Sequence, residues 1–418
     1  MPEIIHLDKC IYGLPHAPAT FRKHSDKVLR SMGFKPTISD PRLYYKLYPD
    51  GTKAYIAVHV DDFGIAATTT ALMDDIIIQL KVAYQCTETE LNYYLGMYIV
   101  RDRIARTITI TQPGYMSDLQ ETFGVNVASC PLTPMLAKPR EPLSDSNPVL
   151  TPKEKELYQS KVGSVLWPTM MTRPECLFSV GYHSRYTKAP CKDDMRTLDR
   201  VLEYLVSTPD LGLKLGGVGE VIAWCTVDVA YANWEDRKSQ TGCTLHVGPR
   251  TSGACCSQSK KQTVTADSST VAEFIGTHTI TQKIMWCRSL LGEMGYPQIA
   301  PTVLYEDNTS TIYMINNDSH SQKTKHIDIR FNLIKEQVQN NVIVMEHLST
   351  VEMISDILTK ALDPKAFLHL RPLLLGMSAR LRATLGDSRG ASEKIDVKNI
   401  DISTKIFRDM SRKKCRRD

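Results

Sequence analysis

Three strand-like runs follow one another with no helix between them: Val221 to Asp228, Gly242 to Val247 and Gly253 to Ser259. This meander constrains the fold more than any other feature. Behind it the period changes. Ser269 to Leu291 reads as a long helix, Thr302 to Tyr305 as a strand and Thr309 to Ile315 as a helix. Asp328 to Gln339 reads as a helix, Val342 to His347 as a strand and Val351 to Lys360 as a last helix. A meander followed by alternating helices and strands specifies an α/β domain with a mixed sheet.

The part before it is organised differently. Ala19 to Arg30, Leu72 to Tyr84 and Gly114 to Phe123 have helical patterns. Ala54 to Val60 and Phe63 to Ala67 flank Asp61-Asp62, which reads as a β-hairpin with the acids at its tip. Tyr93 to Val100 and Thr107 to Thr111 suggest a second hairpin. Six prolines crowd residues 129–152, so that stretch reads as a linker, and residues 153–208 return to helical patterns. Residues 376–418 lose all pattern and become polar and basic, as a poorly ordered tail would.

Composition excludes several classes. Hydrophobic residues make up 42% and charged residues 23%, as in ordinary globular chains. No apolar run approaches a membrane span, and no secretory signal is readable at Met1 to His6. Eleven cysteines, with no Cys-x-x-Cys pair, read as reduced thiols and not as a disulfide framework or zinc site. The net charge of +5 resides in residues 405–418, which hold seven basic and two acidic side chains. The rest is net neutral, so any nucleic-acid surface on it must be a local stripe.

Two sets of carboxylates permit chemistry. Asp61 and Asp62 are adjacent on a tight turn, and a divalent cation would relieve their repulsion. Read alone, the pair is also an ordinary polar turn. Asp228 ends the first strand of the meander, Glu273 lies early in the long helix, Asp307 ends the fourth strand, and Asp356 starts the last helix. Strand ends in such a sheet converge at one edge, where four acids could hold two metals roughly 4 Å apart. Each acid by itself is equally a surface residue or, for Asp356, a helix cap.

Local words then narrow the reading. Lys9 to Pro18 (KCIYGLPHAP) resembles the SLYGLKQAP segment of copia-type retrotransposon reverse transcriptases, and His59 to Asp62 (HVDD) resembles their YVDD metal turn. Tyr94 to Met97 (YLGM), Thr172 to Glu175 (TRPE) and Leu202 to Thr208 resemble YLGI, TRPD and LRYLKGT. Asp236 to Gly242 (DRKSQTG), Ser269 to Phe274 (STVAEF), Asp307-Asn308, Thr324 to Asp328 (TKHID) and Ser355 to Lys360 (SDILTK) resemble DRKSTSG, STEAEY, DN, TKHID and ADILTK. The words occur in family order over about residues 7–375.

The resemblance implies the C-terminal part of a copia-type Pol polyprotein. Its fold class would be α/β and α+β multidomain: a truncated reverse-transcriptase palm followed by a mixed-sheet α/β domain like ribonuclease H. The implied division is 1–128 partial reverse transcriptase, 129–152 linker, 153–218 connection, 219–375 ribonuclease H and 376–418 basic tail. Asp228, Glu273, Asp307 and Asp356 match the four acids of that nuclease, and Asp61 and Asp62 match the polymerase metal pair. The resemblance implies two magnesium (or manganese) ions at the nuclease acids, which would cut RNA in RNA–DNA hybrids. His347 could shuttle a proton, although a lone His on a strand is more often a packing or surface residue, and Arg237, Lys260 and Lys261 could touch phosphates or form a solvated face. Partners would be an RNA–DNA hybrid or other nucleic acid and other Pol or Gag products, in a cytoplasmic virus-like particle or the nucleus, with no membrane.

Departures from the family pattern bear on the polymerase. A palm uses three carboxylates, the third on a strand upstream of Lys9 to Pro18; Glu3 and Asp8 sit too close to that segment to be it and the fingers are not seen, so polymerase activity is expected to be lost. His59 replaces Tyr at the metal turn, and Val229 to Asn233 (VAYAN) replaces ADWAG. A non-catalytic, adopted nucleic-acid-binding remnant is the alternative.

Overall fold

The computed structural model describes residues 14–84, 86–128, 130–137, 140–316, 328–377 and 403–409. They form two compact units. The first holds the chain up to Tyr94, Arg288–Pro297 and the C-terminal segment; the second holds Leu95–Cys287 and the chain from Gln298.

The first unit contains α1 (Ala17–Ser31), β1 (Lys35–Pro36), β2 (Leu43–Leu47), β3 (Lys53–His59), β4 (Asp62–Ala67), α2 (Thr70–Ala83), β5 (Cys86–Glu90) and β6 (Tyr93–Tyr94). The Thr69 hydroxyl caps α2 by accepting from the Leu72 amide. One face of the sheet buries Ile56, Phe63 and Ile65 against Leu29, Met73, Ile76 and Leu80 from the helices. The expected hairpin is β3–β4. His59 pairs with Asp62, leaving Val60 and Asp61 as a two-residue loop. Val60 has φ +54°, a strained conformation for a β-branched residue, of the kind that functional turns retain.

The second unit opens with β7 (Met97–Asp102), β8 (Thr107–Thr111) and α3 (Pro113–Phe123). Three helices follow, α4 (Pro152–Met171), α5 (Leu177–Arg185) and α6 (Lys192–Ser207), and then β9 (Leu213–Gly216), which pairs with β8. In the proline-rich stretch before α4, Arg140 is 2.7 Å from Asp194 and Asn147 is buried.

The meander appears as expected, as β10 (Ala223–Ala230), β11 (Gln240–Val247) and β12 (Ala254–Lys261). Next come α7 (Ser269–Glu293), β13 (Thr302–Glu306), α8 (Thr309–Asn316), α9 (Asp328–Gln339) and β14 (Ile343–His347). The sheet order is β12-β11-β10-β13-β14, with β13 parallel to both β10 and β14. The architecture is therefore mixed α/β with several sheets.

Two expectations fail after β14. Val351 to Lys360 is not a helix but two short 3₁₀ turns, Thr350–Glu352 and Ile354–Leu358. The helix comes later, as α10 (Pro364–Leu375), where the Asp363 carboxylate accepts from the Lys365 and Ala366 amides and Pro364 occupies the first turn. Pro372 inside that run conceals its helical period. A third difference lies in the tail: Ser403–Asp409 forms a strand, β15, lying between β4 and β5.

Candidate metal centre

Asp228 sits on β10 opposite Gly242 of β11. A Cβ at 242 would stand 2.7 Å from the Ser355 carbonyl oxygen and from Thr359 Cγ2. The absence of that atom lets the Ile354–Leu358 turn lie flush on the sheet beside Asp228. There the Thr359 hydroxyl donates to Asp228 Oδ2 at 2.5 Å, and Asp356 is buried with Lys360 Nζ 2.7 Å from its carboxylate. A second close approach positions Glu273. A Cβ at Gly276 would stand 2.6 Å from Val229 Cγ2, so α7 lies against β10 near its N-terminal end. Asp307 follows β13, the parallel neighbour of β10, and accepts from the Thr350 hydroxyl at 2.9 Å.

Asp228, Glu273 and Asp307 each place one carboxylate oxygen within 4.8 Å of the others. Among the described residues no other group of three metal-ligating side chains does so. Asp356 adjoins this triad through Asp228, not as a member of it.

Sequence reasoning missed a fifth carboxylate. Glu306, the last residue of β13, is fully buried; its Oε1 accepts from the Asn308 amide and its Oε2 has no partner. Adjacent strand residues point to opposite faces, so a periodicity argument assigns at most one of Glu306 and Asp307 to a site. Lys360 was also missed. Burial lowers its basicity, but Asp228, Asp356 and Asp307 outweigh that and hold it above the usual lysine range.

So many acids in one buried place disfavour their own ionisation. Burial, and then the Asp356 charge, push the Asp228 carboxyl up to about 7. Burial drives Glu273 well above its ordinary value, and Glu306, Asp228 and Asp307 drive it further. Asp307 is raised too, by burial and by Asp228. Glu273 Oε2 is buried without a hydrogen-bond partner. An all-oxygen ligand set whose members repel one another, with the Glu273 Oε2 atom left unpartnered, fits a hard divalent cation.

The stability consequence has a definite sign. Unfolded, a carboxyl titrates near pH 4; folded, Asp228 titrates at about 7, so the folded chain binds more protons between those values. The stability this group contributes is complete below about pH 4 and is lost as pH rises through about 7. Without added cation, Tm should fall from about pH 5 to about pH 8, and magnesium should restore most of the loss at the upper end. A scan in which Tm climbs over that window would contradict this account.

Gly242→Ala tests the seating of the turn. The clash is with backbone, so it should cost about 1–3 kcal/mol and shift Asp356 away from Asp228. Unchanged thermal stability and unchanged magnesium affinity would show that the turn can yield.

The other residues singled out from sequence fall as follows. Asp61 and Asp62 lie half-buried at the β3–β4 turn of the first unit, where burial and then Asp62 push Tyr94 up to about 12. His347 is exposed at the end of β14, paired in register with Glu306, and its charge acts on Asp307. Arg237 and Lys260 are exposed. Lys261 is taken up within the protein, 2.8 Å from Asp236 and over the Trp234 ring at 5.4 Å. Half of Lys9 to Pro18 and most of Thr324 to Asp328 lie outside the described residues.

Residues 2–137 match the family described as reverse transcriptase (RNA-dependent DNA polymerase). More particularly, the chain is similar to retrovirus-related Pol polyproteins of plant transposons. It is 32% identical to the retrovirus-related Pol polyprotein from transposon RE2 of Arabidopsis thaliana, over 87% of this chain and 24% of that protein. It is 30% identical to that from transposon TNT 1-94 of Nicotiana tabacum, over 90% of this chain and 28% of that protein. The chain thus spans about a quarter of the length of these relatives. Among solved structures, the foamy viral protease-reverse transcriptase in complex with RNA/DNA hybrid aligns with 84% of this chain and 40% of its own, at 12% identity and a TM-score of 0.41.

Proposed function

We propose that this chain is a metal-dependent nuclease that hydrolyses the RNA strand of RNA–DNA hybrids. The observation that carries the reading is the Asp228–Glu273–Asp307 triad, with Asp356 beside it. Asp228, Glu273 and Asp307 would hold two magnesium or manganese ions, with Asp356 completing the set. Bound there, the ions would supply positive charge to the scissile phosphodiester and to its attacking water.

The protein's own groups do the rest. Thr359 and Thr350 fix the carboxylates of Asp228 and Asp307, so neither has to reorient when substrate arrives. His347, exposed beside the strand end, can carry a proton between the site and solvent. Arg237 and Lys260 offer exposed positive charge to backbone phosphates. Shape and 2′-hydroxyl contacts, not base edges, are how such a hybrid is gripped without sequence preference. Other Pol or Gag products, and a virus-like particle or nuclear setting, belong to the same reading.

The test is cleavage of an end-labelled RNA–DNA duplex by the purified chain with and without magnesium. Cleavage of the RNA strand only when the cation is present supports the proposal; binding without cleavage favours a non-catalytic nucleic-acid-binding role. We also propose that this chain does not copy a template. Among the described residues, Asp61 and Asp62 gather no third carboxylate, and two acids lack the ligand that bridges a pair of ions. Primer extension by the purified chain in magnesium or manganese would refute that.

A further inference from the structure

The sheet of the first unit is completed by a segment from the far end of the chain. β4 and β5 do not pair with each other; β15 lies between them, antiparallel to both. Its register runs from Ser403 opposite Ala67 to Arg408 opposite Asp62 on one side. On the other it runs from Lys405 opposite Glu90 to Asp409 opposite Cys86. Residues 405–408 are therefore paired on both edges at once. β5 stands at the end of the strand order and joins the sheet through β15 alone.

Taking β15 away has two physical consequences. β5 loses its pairing, and β4 becomes an edge whose Phe63, Ile65 and Ala67 are buried apolar residues. A flat apolar edge with unpaired N–H and C=O groups is an open template for another strand. Thr404, Ile406 and Phe407 are residue types suited to filling it.

We propose that the space between β4 and β5 is a strand-binding slot, and that its occupant is this chain's own Ser403–Asp409, which completes the sheet by β-augmentation. The segment is a complementing strand, not a passive tail. Main-chain hydrogen bonds supply the binding, as they do when an extended peptide adds to a sheet edge. The inference is independent of the nuclease reading, because it involves none of the acids of the metal centre.

Hydrogen exchange on the full chain tests it. Ile406→Pro removes a ladder donor and cannot occupy a strand paired on both sides, whereas Ser392→Pro precedes the strand and serves as control. Amides of 63–67 and 86–90 should exchange at least about tenfold faster in Ile406→Pro, while those of β2, β10 and β11 keep their protection. Ser392→Pro should match the parent chain. Equal exchange at 63–67 and 86–90 in Ile406→Pro and the parent overturns the proposal. A rise spread uniformly over β2, β10 and β11 overturns it as well, since the effect would then not be local to the slot.

Discussion

Asp307→Asn should abolish the magnesium-dependent cleavage proposed for this chain, by at least about two decades in rate or on the order of 3 kcal/mol, whereas Asp61→Asn should leave it within about twofold. Asparagine keeps the shape of the side chain, and its carbonyl oxygen can still accept from the Thr350 hydroxyl. What it removes is the charge, and the charge is what a cation requires of the triad. Asp307 is half-buried, less enclosed than Asp228 or Glu273, so the substitution places no strongly desolvated group in the core. The loss should therefore show as weaker magnesium binding by calorimetry with no fall in the cation-free Tm, because one of the mutually repelling charges is gone. Asp61 lies at the β3–β4 turn of the other compact unit, and effects at separate sites add independently. Parent-level cleavage by Asp307→Asn would remove the triad from the reaction.

How much of this was legible beforehand depended on how local the signal was. The meander and α7, β13 and β14 follow from short-range periodicity, and their ends fall within a few residues of expectation. Asp228, Glu273 and Asp307 were legible as a set through the family words they stand in, since their places along the strands and the helix left each open to being a surface acid. Glu306 was not, because its burial depends on how β13 is flanked by β10 and β14 and not on its immediate neighbours. The 3₁₀ turns at 350–358 escaped for a related reason: they are shaped by seating against Gly242, a contact more than a hundred residues away in the chain. β15 is the extreme case, a polar stretch whose strand character comes from two partners over three hundred residues earlier. Lys261 shows the converse, since a cation free in the sequence is held by Asp236 and Trp234 in the fold.

Arg173→Met should destabilise the second unit by about 3–5 kcal/mol, and the paired change Arg173→Met with Glu175→Met should recover most of it. The Thr172–Glu175 word marks this place in the sequence, yet nothing in the word says what it does. Arg173 and Glu175 are both fully enclosed, and Arg173 Nε donates to Glu175 Oε1 at 2.6 Å. The guanidinium also donates to the Thr208 carbonyl and hydroxyl at the end of α6, at 3.0 and 2.7 Å. Tyr204 of α6 donates to the same Glu175 oxygen and accepts from Arg371 of α10. The pair thereby fastens the end of α4, α6 and α10 together behind the turn that carries Asp356. Removing the arginine alone strands a carboxylate whose second oxygen already has no partner, and a lone buried charge is the costly case. Replacing both residues by apolar side chains removes the charge along with its partner, which is why the double variant should be the more stable of the two. Were the double variant no more stable than Arg173→Met alone, the contribution of Arg173 would be packing and its bonds to Thr208, and the ion pair itself would have no special weight.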